Sequence, residues 1–167
     1  MNTDVHGGAA GISLPKINAA TAATAVTAGA FATIAFDAFG QGLSPLLGFA
    51  KLAPVGLAQS TLQKLFGFSS TPAAHLLHVV TGLVFYVIGW MYIFEPLAKK
   101  FVPSLPWWAS SIAYGVALWV FALFIMAHLV AGLPAFLGFT GITWAALWGH
   151  ILYAVVLAWV IRLRTPA

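Results

Sequence analysis

The chain has 167 residues, which is enough for one domain. Apolar residues make up 62% of it and charged residues only 6%, whereas soluble domains carry roughly 25% charged residues. So few charges cannot cover the surface of a soluble protein, and so hydrophobic a chain is not disordered. There is no cysteine, which excludes disulfides, cysteine–zinc sites, iron–sulfur clusters and covalently attached haem. The composition is typical of a helical protein that crosses a membrane several times.

Four apolar stretches are long enough to cross a bilayer, which takes about 20 residues. We call them the first to fourth spans and place them at residues 19–40, 73–94, 107–133 and 141–161. The first span is longer than the apolar core of a signal peptide, so we expect it to remain in the protein. The sequence thus predicts an all-α membrane protein, a four-transmembrane-helix bundle. A cytoplasmic N-terminal tail, residues 1–18, precedes a single membrane domain, residues 19–167.

The lysines and arginines predict how the bundle is oriented. Two of the seven, Lys51 and Lys64, lie in the loop between the first two spans. The other five lie on the opposite side of a four-span protein: Lys16, Lys99, Lys100, Arg162 and Arg164. Because cytoplasmic loops carry the excess of Lys and Arg, this second side, with both termini, is expected to be cytoplasmic. We expect a multi-pass protein of the bacterial inner (cytoplasmic) membrane.

The long loop between the first and second spans has a helical pattern over residues 54–66. Its apolar and polar residues fall on opposite faces. The apolar face holds Ala58, Leu62, Leu65 and Phe66, and the polar face holds Gln59, Ser60, Gln63 and Lys64. Gly67 is placed to end the helix. We predict a periplasmic amphipathic helix, called the loop helix below, that lies either on the membrane surface or over the ends of the bundle.

The chain contains an internal repeat. Residues 42–49 and 132–139, at an offset of 90, share five of their eight residues. The second and fourth spans also begin alike, around His75 and His150. These similarities suggest a duplicated helical hairpin, in which the third and fourth spans repeat the first and second about an axis along the membrane normal.

Ionisable residues are rare inside membranes and raise the hypothesis of a functional site. Here they all fall in the periplasmic half: Asp37, His75, His78, His128 and His150. His150 is the deepest, and we expect Asp37 or a hydroxyl such as Thr81 to bind its ring. On the second span, four residues of chemical interest recur every four positions and so form a stripe along one face of the helix. These are His78, Gly82, Tyr86 and Trp90.

Several roles for these groups stay open. The first expectation is that they hydrogen-bond between helices and that no cofactor is bound. In the second, imidazoles ligate haem b, with His75, His78, His128 and His150 as candidates, or Asp37, His78 and His128 ligate a metal ion. In the third they ligate bacteriochlorophyll, because Ala74 and Ala146 leave space one turn before His78 and His150. A proton path is less favoured, because the cytoplasmic half offers only Glu95.

The spacing of His75, Gly82 and Tyr86, with six and then three residues between them, accompanies a Gly/Pro/Leu-rich loop after an odd-numbered span. With these features, residues 20–162 resemble small four-span bacterial inner-membrane proteins of unknown function. The resemblance implies the four-span fold and no reaction. In size and in its tryptophan-bounded spans the chain is also similar to accessory subunits of respiratory and photosynthetic complexes.

The sequence has no hydrolase, kinase or nucleotide-binding motif and only three acidic residues. We therefore expect no catalysis. The expected function is that of an accessory or assembly subunit of a larger bacterial inner-membrane complex, in electron transfer or photosynthesis. Its partners would be the lipid bilayer and other membrane subunits, and not nucleic acid. The alternative is a haem-, metal- or pigment-binding membrane protein that uses the histidine and aspartate cluster.

Overall fold

The computed structural model describes residues 14–165, and every regular element in that range is helical. Four helices are long and apolar enough to cross a membrane, and each overlaps one of the four predicted spans: Ala19–Leu46, Thr71–Phe101, Trp107–Val130 and Gly141–Arg164. The prediction of a four-helix membrane bundle is therefore confirmed. Most of the predicted N-terminal tail, residues 1–13, and the last two residues lie outside the described range.

Side chains at the helix starts explain two of the boundaries. The side chain of Asn18 accepts a hydrogen bond from the backbone N–H of Thr21 at 2.9 Å, which caps the first span. Ser70 caps the second span in the same way.

The first span continues six residues past its predicted end, to Leu46, where the hydroxyl of Ser44 donates to the carbonyl of Ala50 at 2.7 Å. A polar side chain thus stabilises a last turn that hydrophobicity does not predict.

The loop helix occupies the predicted range, Pro54–Phe66, and ends at Gly67 in a left-handed conformation with φ 74°. Its residues Ala58 and Leu62 pack against Ala74 at the start of the second span. The loop helix also contacts the end of the third span. It therefore lies over the ends of the bundle, which is the second of the two predicted placements.

The four spans pack in the order second, first, fourth, third. At two of these seams the helix backbones touch. A Cβ added to Gly29 would lie 2.8 Å from the carbonyl oxygen of Leu83, and one added to Gly115 would lie 2.6 Å from the Cα of Ile151. The second and third spans instead face each other across a gap, which side chains such as Tyr114 enter.

The packing bears on the predicted duplication. Gly48 and Gly138, which are equivalent at the offset of 90, both adopt left-handed backbone conformations, with φ 82° and 72°. Both predicted hairpins are present. A twofold axis along the membrane normal would, however, make the contact of the first span with the fourth equivalent to a contact of the third with the second. Only the first of these contacts forms a packed seam, so the bundle does not keep the symmetry of the repeat.

Candidate functional site: a cavity between the second and third spans

A cavity of about 640 Å³ fills the gap between the second and third spans. The first and fourth spans form its floor, and the loop helix closes one end. Phe85 and Phe121 line the cavity and are also exposed on the outside of the bundle, so the cavity reaches the lipid-facing surface. Among the described residues that line it, none is charged, and the polar side chains are two histidines, three tyrosines and three threonines.

His150 lies on the floor of this cavity and is only 5% exposed. Its Nδ1 donates to the carbonyl of Ala146 at 2.7 Å, and its ring meets Phe36 edge-on with centroids 5.0 Å apart. The expectation that Asp37 or Thr81 binds His150 is wrong. The ring of His150 reaches the carbonyl of Ala146, one turn earlier in the same helix, so it needs no partner from another helix.

The hydrogen bond to Ala146 determines what the other ring nitrogen of His150 can do. A carbonyl only accepts, so Nδ1 carries the hydrogen. In the neutral ring, Nε2 is then the nitrogen with a free lone pair. Nε2 makes no hydrogen bond to any residue in the described part of the chain, and the ring lines the cavity. This nitrogen is available to a ligand.

His78 also lies near Phe36, and it pairs with Asp37. Its Nε2 lies 3.0 and 3.2 Å from the two carboxylate oxygens of Asp37, and Gln41 donates to the same carboxylate at 2.8 Å. The centroids of the His78 and Phe36 rings are 6.2 Å apart. Phe36 therefore contacts both imidazoles that line the cavity, one tied to a carboxylate and one to a carbonyl.

Two tyrosines hold the second span in place along the cavity. The second span contains wide, π-helical turns at Thr81–Phe85 and Gly89–Phe94, where backbone bonding departs from the α-helical pattern. The hydroxyl of Tyr153 donates to the carbonyl of Gly82, and that of Tyr114 donates to the carbonyl of Tyr86. One phenol thus binds a carbonyl inside the first π-helical turn, and the other binds a carbonyl in the short α-helical stretch, Tyr86–Ile88, between the two turns. Nothing in the sequence pattern had selected Tyr114 or Tyr153.

The predicted stripe on the second span divides between the cavity and the protein core. His78, Gly82 and Tyr86 line the cavity, as a shared face requires, whereas Trp90 is buried nearer the other end of the bundle. The hydroxyl of Tyr86 makes no hydrogen bond to another residue within the range 14–165. The Tyr86 hydroxyl, like that of Thr33, is therefore a further polar group in the cavity with no partner among the described residues.

Two candidate histidines do not reach the cavity. The Nδ1 of His128 donates to the carbonyl of Leu133 at 2.8 Å, so His128 caps the end of its own span. His75 is exposed and makes no hydrogen bond to a described residue. Of the predicted haem and pigment ligands, the structure brings together only His78 and His150.

The predicted metal ligands do not form a cluster either. Within residues 14–165 there is no group of three or more His, Asp or Glu side chains that could hold a metal ion. Asp37 and His78 are paired, but His128 lies on the third span, which the cavity separates from the second, and it is turned toward its own loop. Similar depth in the membrane did not bring the three side chains together.

Comparisons with known proteins add no further assignment. The chain matches no protein-family model, and neither the curated proteins nor the solved structures give a match.

Proposed function

We propose that this protein binds an uncharged, metal-centred ring compound in the cavity, and that Nε2 of His150 would hold its metal. The observation that supports this most is the hydrogen bond from Nδ1 of His150 to the carbonyl of Ala146, which leaves Nε2 for the cavity. Metal-ligating histidines usually donate their other ring N–H to a carbonyl or carboxylate, and this fixes the ring and its tautomer. One axial histidine is sufficient for a macrocycle, so a cluster of three protein ligands is not needed.

The size and lining of the cavity suit such a compound. Ligand pockets typically measure about 300–1,000 Å³ and are mostly apolar, with a few placed polar groups, and this cavity measures about 640 Å³. Ala146, one turn before His150, also lines it, so a flat ring can approach the imidazole. The lining residues carry no charge, which favours an esterified ring of the bacteriochlorophyll type over haem b, whose carboxylates would need cationic partners.

The proposed context remains that of a non-catalytic accessory subunit of a larger bacterial inner-membrane complex, in electron transfer or photosynthesis. Within this chain only 22% of the most apolar part of the second span is buried, against 56% for the fourth span. The second span therefore leaves most of its surface to lipid or to another subunit. Purification in mild detergent should recover stoichiometric partner subunits, and a fully functional monomer without partners would contradict the proposal.

The proposed ligand is tested by the absorption spectrum and metal content of the protein purified from its native membrane. We expect a visible macrocycle band and about one metal ion per chain. His150→Gln should abolish the band and the metal while leaving the fold intact, at a cost of roughly 1–2 kcal/mol at most. His75→Gln is the matched control and should keep both, because His75 lies outside the cavity.

The other results would overturn the proposal in distinct ways. A colourless, metal-free protein would exclude a macrocycle. A quinone in the solvent extract, with absorption only in the ultraviolet, would make the cavity a quinone site. Loss of the band in His75→Gln but not in His150→Gln would place the ligand elsewhere. Circular dichroism of each variant separates loss of the ligand from loss of the fold.

We propose the predicted orientation as well, with both termini in the cytoplasm. Five of the seven cations lie at the end of the bundle away from the loop helix, which is the pattern of a cytoplasmic surface. Reporter enzymes fused to each terminus, one active only in the cytoplasm and one only in the periplasm, test this. A periplasmic C-terminus would reverse the assignment.

A further inference from the structure

A second, smaller pocket of about 130 Å³ lies at the end of the bundle away from the loop helix. The end of the second span, the start of the third and the end of the fourth surround it. Its polar lining consists of Glu95, Lys99, Ser110 and Arg162, with Trp107 at its side. This pocket is separate from the proposed ligand cavity and shares no lining residue with it.

The charges around this pocket are predominantly positive. Lys99 pairs with Glu95 at 2.9 Å, so these two charges offset each other. The guanidinium of Arg162 lies 5.6 Å from the centre of the Trp107 ring and forms no ion pair with any described residue. Arg162 therefore offers a positive charge and its N–H donors to the pocket.

Ser110, a buried residue, adds a hydroxyl without a partner among the described residues. Ser110 lines the pocket and is only 6% exposed, and its side chain makes no hydrogen bond within the described chain. The next residue differs, because the hydroxyl of Ser111 donates to the carbonyl of Trp108 at 2.8 Å. A hydroxyl that a buried residue presents to a pocket, with no partner among the described residues, suits a ligand that accepts hydrogen bonds.

The third span begins beside the pocket, where Trp107 lines it. This helix is 24 residues long, and its N-terminal flanking residue, Pro106, provides no side-chain hydrogen bond. The N–H groups of Ala109 and Ser110 bond to the carbonyl of Pro106, and those of Trp107 and Trp108 precede them. The free N–H groups and the helix dipole at such an end attract anions.

We propose that this pocket binds the phosphate group of an anionic phospholipid. Arg162, the Ser110 hydroxyl and the helix N-terminus all donate to negative oxygens, and basic pockets between membrane helices at their cytoplasmic ends bind anionic headgroups. Trp107 and Trp108 belong at headgroup level. Val102 and Leu105 line the pocket and are exposed, so they give acyl chains an apolar surface, which favours a lipid over free phosphate.

The test is a titration of the detergent-purified protein with phosphatidylglycerol labelled on its acyl chain, at about 1 M salt, where the Debye length is about 3 Å. At this salt concentration the attraction of distant surface charges is suppressed. Arg162→Gln should weaken binding at least about five-fold, while Arg164→Gln removes the same charge two residues away, outside the pocket, and should leave binding unchanged.

A second pair of variants keeps the net charge constant. Ser110→Ala removes the hydroxyl that lines the pocket and should weaken binding, whereas Ser111→Ala removes a hydroxyl bonded within the chain and should not. Equal losses in Arg162→Gln and Arg164→Gln would mean general charge attraction and overturn the site. Equal binding of diacylglycerol, which has the same acyl chains but no phosphate, would exclude phosphate recognition, and displacement by millimolar inorganic phosphate would make it a site for free phosphate instead of lipid.

Discussion

The contact between the first and fourth spans and the gap between the second and third spans would be equivalent in a symmetric duplicated bundle, yet they differ. The first and fourth spans form a continuous packed seam. The second and third spans are held apart, with a cavity of about 640 Å³ between them. Two hairpins that share the short repeated segment at residues 42–49 and 132–139 therefore meet in one closed interface and one open one.

Side-chain size accounts for the difference. The seam between the first and fourth spans is rich in buried alanines: Ala28, Ala32, Ala154 and Ala158. Small residues allow helix backbones to approach closely in membranes, where packing rather than the hydrophobic effect drives association. The gap instead holds the aromatic rings of Tyr86, Phe94, Tyr114 and Phe121. Across the gap, the Tyr86 ring meets the Phe121 ring edge-on and the Phe94 ring contacts the Tyr114 ring. These contacts keep the backbones of the second and third spans apart.

The largest loss of stability is expected from a substitution that breaks a closed seam. Gly115→Ala would place a Cβ 2.6 Å from the Cα of Ile151, where only a backbone shift can relieve the clash. We expect a loss of roughly 1–3 kcal/mol in the free energy of unfolding, the usual range for overpacking. Gly42→Ala is the control, because its Cβ would meet nothing within 4 Å. Denaturant unfolding in mixed micelles measures both, and equal stabilities would refute the close contact.

A smaller effect is expected where the second span is bound across the cavity. Tyr153→Phe removes the hydrogen bond to the carbonyl of Gly82 and leaves that carbonyl without its partner. The free energy of unfolding should fall by roughly 1–2 kcal/mol, the cost of an unsatisfied buried group. Tyr92→Phe, whose hydroxyl has no hydrogen bond to a described residue, should change it by far less. If the two variants unfold alike, the phenol does not hold the second span.

An increase in the free energy of unfolding, instead of a loss, is expected from a substitution at the seam between the first and second spans. The hydroxyl of Thr33 is buried without a partner among the described residues. Thr33→Val replaces it with a methyl group of similar shape and should raise the free energy of unfolding by about 1 kcal/mol. In Thr27→Val the lost hydroxyl is bonded to the carbonyl of Ala23 at 2.7 Å, so no gain is expected. A loss of stability in Thr33→Val would show that the hydroxyl has a partner.

The smallest effect on stability is expected in the gap itself. Ala117→Leu adds methyl groups to the wall of the cavity without touching a closed seam. Because lipid already solvates such groups, the free energy of unfolding should change by no more than about 0.5 kcal/mol. Ligand occupancy, read from the absorption band, should fall nonetheless. Unchanged occupancy would show that the ligand does not lie against the third span.

The sequence predicted the elements better than the site. Long apolar runs predicted the four spans. The separation of apolar and polar residues onto opposite helix faces predicted the loop helix at residues 54–66, the same bounds as in the structure. Of the candidate residues, His78 and His150 reached the cavity, whereas His75 and His128 did not. Depth along a span can be counted from the sequence, but the direction in which a side chain points across the bundle cannot.

Hydrophobicity by itself determined that this chain forms four membrane helices, because each run of apolar residues must satisfy its backbone hydrogen bonds internally in lipid. The tertiary structure decided which helices touch. That choice depends on where glycines and alanines such as Gly115 and Ala154 meet across helices, and on where aromatic rings prevent contact. The cavity, the pairing of Asp37 with His78 and the free nitrogen of His150 all follow from that packing order, which no single stretch of sequence contains.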